Sequence, residues 1–178
     1  MTPVCDIAQP RLQDLGLKWG TDKATSHSYL PVYDELLGHL RDAPISLLEI
    51  GAGFSLFMWL EYFPNALIHV VDKDFPPTLM DHPRLFKFRM RQEDEEQLHA
   101  LCKHRFDVII DDGSHEPSDQ LMTMHALWQC LEPGGFYFVE DVCSWDRVVY
   151  WEMMPGYRSW MFLKNARPDD ILVMMHKD

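Results

Sequence analysis

Two short stretches of the chain carry residues whose types and spacing suit chemistry. The first, Phe106 to His115, runs from the apolar Val108-Ile109-Ile110 directly into Asp111, Asp112, Gly113, Ser114 and His115. The second, Gly135 to Asp141, is again apolar until it ends in Glu140 and Asp141. An apolar run that stops abruptly at acids predicts a buried strand whose polar residues emerge at the carboxyl edge of a sheet. That edge is where open α/β sheets bind ligands. Asp112 and Glu140 lie 28 positions apart, room for one crossover helix between neighbouring parallel strands. Asp112, Glu140 and Asp141 are therefore expected to converge, with His115 beside them. Three carboxylates in one cleft repel each other unless a cation sits between them, and an all-oxygen donor set favours a hard ion such as Mg²⁺, Mn²⁺ or Ca²⁺ over zinc. Such an ion lowers the pKa of a coordinated hydroxyl, and His115 is placed to take the proton as general base. The plainer alternative is a strand-end cluster satisfied by backbone N–H groups and water, with His115 as a polar rim residue.

These residues need a scaffold, and the chain supplies α/β alternation. Ile45–Ile50 predicts a first strand, followed at once by Gly51-Ala52-Gly53 and a helix capped by Ser55 that ends before Pro64. Strand, glycine turn and helix form a nucleotide-type opening, in which the glycines let backbone approach a ligand. Leu56 stands where a third glycine would complete a dinucleotide fingerprint. Ala66–Val71 is the second strand, and Asp72 at its end suits either a ribose contact or a turn. Leu85–Met90 alternates as a third strand, and an acid-led helix spans 93–103. A helix capped by Ser118 separates the two acidic strand ends; its His125 is read as structural. Ahead of the sheet, residues 1–20 look irregular or weakly helical, Gly20–Lys23 reads as a turn, and Ser26 is expected to cap a helix over 27–41. Tyr29 and Tyr33 lie on the apolar stripe of that helix, and the periodicity alone assigns them to the core. An aromatic excursion over 145–157 and a hairpin of 159–163 with 171–175 close the domain.

The formal charge of −12 over 178 residues opposes nucleic-acid or anionic-membrane partners. The 47% apolar content suits a globular protein with one sizeable core. Cys5, Cys102, Cys130 and Cys143 form no C-x-x-C pair and are expected to be free, reduced thiols. With neither a signal-like N-terminus nor a run long enough to span a membrane, a cytoplasmic protein is expected.

Taken together, the chain resembles the class I S-adenosylmethionine-dependent methyltransferases, and among them the metal-dependent sugar O-methyltransferases of macrolides and related natural products. Leu48–Gly53 looks like the first cofactor motif, while Ile110–His115 and Val139–Asp141, paired with Gly20-Thr21-Asp22-Lys23, look like the metal and base motifs. The resemblance implies a Rossmann-like seven-stranded, mostly parallel sheet of order 3-2-1-4-5-7-6 with helices on both faces. It implies one domain over 1–178, with 1–44 as cap segment and helix and 45–178 as catalytic core. S-adenosyl-L-methionine and Mg²⁺ are the implied cofactors. Asp112, Glu140 and Asp141 would hold the metal, and His115 with Asp112 would be catalytic. Glu49, Gly51 and Gly53 would line the methionine end of the cofactor, Asp72 its ribose and Gln92 its adenine side. Ser55 and Asp111 join that set, and Thr21, Lys23 and Tyr29 would close over it. Arg91 departs from the family pattern, which has an acid before the glutamine, and no counterpart of the auxiliary domain of the macrolide enzymes is expected in this chain. The acceptor pocket is then expected from 143–158, the N-terminal segment or another subunit. The implied partner is a small hydroxylated acceptor, a sugar or glycoside, with room left for a homo-oligomer. A catechol-type methyltransferase, a metal-dependent glycosyltransferase using Asp72-Lys73-Asp74, and a non-catalytic cofactor-binding module are the alternatives.

Overall fold

A computed structural model describes residues 11–161 and 170–178. Before the sheet come α1 (Leu12–Trp19), the single turn α2 (Asp22–Thr25) and α3 (Leu30–Leu37). The core then alternates as β1 (Ser46–Ile50), α4 (Ser55–Tyr62), β2 (Leu67–Asp72), β3 (Leu85–Arg89), α5 (Glu95–Ala100), β4 (Phe106–Asp111), α6 (Pro117–Leu127) and β5 (Leu131–Val139). After the one-turn α7 (Trp145–Val148), β6 (Arg158–Met161) and β7 (Ile171–His176) complete a sheet of order β3-β2-β1-β4-β5-β7-β6. Strands β3, β2, β1, β4 and β5 pair in parallel, and β7 runs antiparallel to both β5 and β6.

Strand alternation sends side chains to two cores. Leu47, Val108, Ile110, Phe136, Phe138, Leu172 and Met174 join the core beneath α1, α3 and α4. Leu48, Ile50, Ile109, Tyr137, Val139, Val173 and Met175 join the one beneath α5 and α6. Period-two alternation carries this sorting into the strand ends. Glu49 shares the parity of Leu47, Asp112 that of Ile110, and Glu140 that of Phe138, so all three acids turn toward the N-terminal helices.

Of the two forms expected ahead of the sheet, residues 12–19 take the helical one, and Gly20 closes that helix in the left-handed region (φ 71). Several other local expectations are corrected. Ser26 ends α2 instead of starting the next helix, which begins at Leu30 with Tyr29 at its cap. The chain between them bends because Lys23 and His27 are both drawn inward. Phe54, not Ser55, occupies the cap of α4, and Glu116, not Ser118, that of α6. Helix α5 starts two residues late, at Glu95, because the Asp94 side chain accepts the Gln97 N–H. Strand β5 extends back to Leu131, ahead of Pro133. The free-thiol expectation fails for two cysteines: Cys102 and Cys130, on 3₁₀ turns after α5 and α6, are joined as a disulfide because those turns pack together. Cys143 is free; Cys5 lies outside the described residues, as does the end of the expected hairpin strand at Leu163. Among the described residues, no helix is long and apolar enough to cross a membrane.

Candidate active site at the carboxyl edge of the sheet

The ends of β1, β4 and β5 are stitched together by backbone. Gly51 N–H donates to the Val71 carbonyl (2.8 Å), Asp112 N–H to Ile50 (3.0 Å) and Glu140 N–H to Asp111 (2.9 Å). The glycine at 51 is required twice over. Its φ is 99°, and a Cβ there would come within 2.1 Å of the Asp112 carbonyl oxygen. Gly113 is equally tight, since a Cβ would meet Gln92 Oε1 at 2.1 Å.

A cleft of about 130 Å³ opens above these turns, lined by Ile50, Gly51, Val71, Asp72, Lys73, Gln92, Glu93, Gly113 and Ser114. Gly51, Asp72 and Gln92 are therefore where a nucleotide-type ligand would need them. Asp72 also accepts the Ala52 N–H (2.8 Å) and the Asp74 N–H (2.9 Å), fixing the glycine turn. Asp74 is mostly exposed and pairs with Arg89. Gln92 accepts the Ser114 N–H and donates to Asp111 and Thr123, holding the turn after β4. Thr21, Gly53 and Ser55 do not line the cleft. Thr21 is buried in the N-terminal segment. Around Gly53 there is space, with a Cβ no closer than 3.7 Å to Ser55 Oγ. Ser55 instead donates to Glu49 Oε1 (2.8 Å). Asp111 is fully buried beneath the cleft, where burial pushes its carboxyl up to about 8.

Behind the cleft the acids meet a group of side chains from the N-terminal segment. Lys23, fully buried, places Nζ 2.5 Å from Asp112 Oδ2, 2.7 Å from Glu140 Oε2 and 3.4 Å from Glu49 Oε1. Burial alone would lower the Lys23 pKa, but the charges of Asp112, Glu140 and Glu49 more than offset it and hold the amine well above its ordinary value. The Tyr33 hydroxyl donates to Glu140 Oε1 and the Tyr29 hydroxyl to Asp141 Oδ1, each at 2.6 Å. His27 Nδ1 lies 2.9 Å from Asp170 Oδ1 and 3.4 Å from Asp141 Oδ1, and its ring stacks on Tyr29. Glu49 is fully buried, its carboxyl pushed up to about 7 mainly by burial, and its Oε2 has no hydrogen-bond partner.

Asp112, His115 and Asp141 offer ligand atoms within 4.8 Å of one another, a group able to hold a metal ion. His115 Nε2 lies 3.2 Å from Asp112 Oδ1, and Nδ1 3.6 Å from Asp141 Oδ2. The Asp112 hydrogen bond raises the His115 pKa, against an opposing effect of burial. Burial would raise the Asp112 pKa, but Lys23 and His115 bring it below its usual value. Among the described residues, His115 (φ 61) and Asp141 (φ 54) are the non-glycine residues with left-handed backbone. Such strain concentrates at functional sites. At Asp141 it interrupts the strand alternation and presents the carboxylate beside Asp112. Glu140, expected to hold the metal with Asp112 and Asp141, lies deeper than they do, 1% exposed, between Tyr33 and Lys23.

Sequence reasoning missed His27, Tyr33 and Asp170 as polar members of this site. Tyr33 carried a signal, one helical turn beyond Tyr29 on the same stripe; His27 and Asp170 carried none, because their meeting depends on packing α2 against the start of β7.

No family model matches the chain. It is 34% identical over 136 residues to the 8-demethyl-8-(2-methoxy-alpha-L-rhamnosyl)-tetracenomycin-C 3'-O-methyltransferase of Streptomyces olivaceus, covering 70% of this chain and 34% of that one. It is 32% identical over 158 residues to the 8-demethyl-8-alpha-L-rhamnosyl tetracenomycin-C 2'-O-methyltransferase of the same organism, covering 83% of this chain and 40% of that one. The chain thus spans about a third to two fifths of the length of the curated relatives it matches. Among solved structures it superposes on the MycE methyltransferase of the mycinamycin pathway, in complex with Mg, SAH and mycinamycin VI. The TM-score is 0.79 and the identity 22%, over 96% of this chain and 55% of that one. This likeness and the strand order give the Rossmann-like class I methyltransferase fold, as the sequence led us to expect.

Proposed function

We propose that the chain is an S-adenosylmethionine- and Mg²⁺-dependent O-methyltransferase domain acting on a hydroxyl of a sugar or glycosylated natural product. Among the described residues, those from 45 onward carry the strand-end groups of the site, and 11–44 cap it. The observation that carries this reading is the adjacency of two features at one sheet edge: the cleft of Gly51, Asp72, Gln92 and Gly113, and the Asp112/His115/Asp141 group. The names of the relatives, both sugar O-methyltransferases, support the acceptor class.

The residues fit both cofactors. Asp72 at the end of β2 suits ribose hydroxyls, and the unpartnered Glu49 Oε2 suits a ligand ammonium. Asp112 and Asp141, with Glu140 behind them, supply hard oxygen donors for Mg²⁺. When bound, Mg²⁺ supplies a Lewis acid that eases ionisation of an acceptor hydroxyl, and S-adenosylmethionine supplies the methyl group. His115 Nε2 is committed to Asp112, which leaves Nδ1, beyond hydrogen-bond reach of Asp141, to take the acceptor proton. Its left-handed backbone and the Asp112 contact fix the orientation of the ring that would take the proton.

The test is calorimetric titration of S-adenosylhomocysteine, with and without Mg²⁺, into the wild type and His115→Ala, followed by turnover on rhamnosides and other glycosides. Binding is expected in both proteins, with turnover lost by about 10²-fold or more in His115→Ala. Absence of binding in both, with nucleotide sugars binding instead, would sink the methyltransferase reading.

A further inference from the structure

Lys23 was expected on the cofactor side, yet it lies among the acids. Its ammonium is fully buried and touches carboxylates from three strand ends: Glu49 near the end of β1, Asp112 after β4 and Glu140 after β5. These three share one sheet face, the face on which α1 to α3 pack. Three carboxyl groups from separate strand ends thus converge on one ammonium, and the Oε2 of Glu49 has no hydrogen-bond partner of its own.

The oxygens are already committed. Asp112 gives Oδ2 to Lys23 and Oδ1 to His115, and Glu140 gives Oε2 to Lys23 and Oε1 to Tyr33. A divalent ion held by Asp112 and Glu140 together would sit about 2.1–2.5 Å from those oxygens, which is where Lys23 Nζ now stands, 2.5 and 2.7 Å away. Ammonium and metal cannot both fill that position.

We propose that Lys23 is a placeholder cation that contends with the divalent ion for the Asp112/Glu140 pair and so sets the metal affinity of the site. This rests on the metal-dependent reading above. Without metal, Lys23 keeps the acids together and neutralised. Metal loading displaces the ammonium, and the backbone that carries it, α2 and the turn before it, shifts with it. The N-terminal cap is thereby coupled to the metal.

The experiment is Mn²⁺ binding, followed by electron paramagnetic resonance of the free ion, on the wild type, Lys23→Met and Lys23→Arg. Lys23→Met is expected to bind Mn²⁺ about tenfold or more tighter, because a competing charge has been removed at contact distance. Lys23→Arg, which keeps the charge, should stay within about threefold of the wild type. Equal or weaker binding by Lys23→Met overturns the proposal, since it would make Lys23 a support for the metal ligands. Failure of every protein to bind Mn²⁺ fells the metal reading and this inference with it; wild-type binding without a gain in Lys23→Met fells this inference alone. Should Lys23→Met not fold, amide hydrogen exchange over residues 20–27 of the wild type decides. Faster exchange on adding Mg²⁺ supports displacement, and unchanged or slower exchange refutes it.

Discussion

Replacing Tyr33 by Phe removes one oxygen and leaves the ring in place, packed on Phe138 (4.6 Å between centroids) and Trp59 (5.4 Å). What is lost is the 2.6 Å hydrogen bond to Glu140 Oε1, between a fully buried hydroxyl and a carboxylate 1% exposed. Stripping a buried carboxyl group of its hydrogen-bond donor costs roughly 1.5–3 kcal/mol in lost hydrogen bond and desolvation. For a chain of this size that lowers the melting temperature by roughly 3–12 °C. The assay is a thermal or urea melt of the metal-free protein, run beside Tyr62→Phe. The Tyr62 hydroxyl also donates to a carboxylate, Asp34, but that partner is half-buried, so its loss should be worth less than about 1 kcal/mol. Combining Tyr33→Phe with Glu140→Gln should shrink the effect of the tyrosine change, as expected for groups in contact. A Tyr33→Phe shift below about 1 °C, or strict additivity with Glu140→Gln, would refute the claim that this buried pair acts as one stabilising hydrogen bond.

Gly51→Ala places a methyl against the Asp112 carbonyl and forces a left-handed backbone on alanine. A loss of more than about 2 kcal/mol in a urea melt is expected, together with loss of S-adenosylhomocysteine binding by calorimetry. The Asp111 carboxyl, pushed up to about 8 by burial, ties stability to pH. Its contribution is full below the unfolded value near pH 4 and is lost as pH rises through about 8. Asp111→Asn should therefore flatten the decline in stability measured between those limits, and an unchanged slope would speak against a protonated Asp111. Reducing the Cys102–Cys130 disulfide, which closes a loop with a separation of 28, should lower stability by about 3–4 kcal/mol. Thiol labelling of the unreduced, unfolded protein should mark Cys143 and leave Cys102 and Cys130 unlabelled.

The residues at the end of each strand are legible in the chain because burial on both faces writes a strand as an unbroken apolar run, and the first polar residue marks where cover ends. That local rule is enough to locate Asp72, Asp111, Asp112, Glu140 and Asp141, and the glycine turn at Gly51. Helix starts at Ser26, Ser55 and Ser118 were misplaced because a serine can cap, but long-range partners decide whether it does; Ser55 is taken by Glu49. Only the tertiary structure set the division of labour among the acids. Parity along β5 turns Glu140 inward toward Lys23 and Tyr33, while the left-handed backbone at Asp141 brings it back beside Asp112 and His115. Neither the partner of a buried charge nor the pairing of Cys102 with Cys130 has a local signal. Both follow from which distant segments the two cores bring into contact, and the chain's own order does not express that.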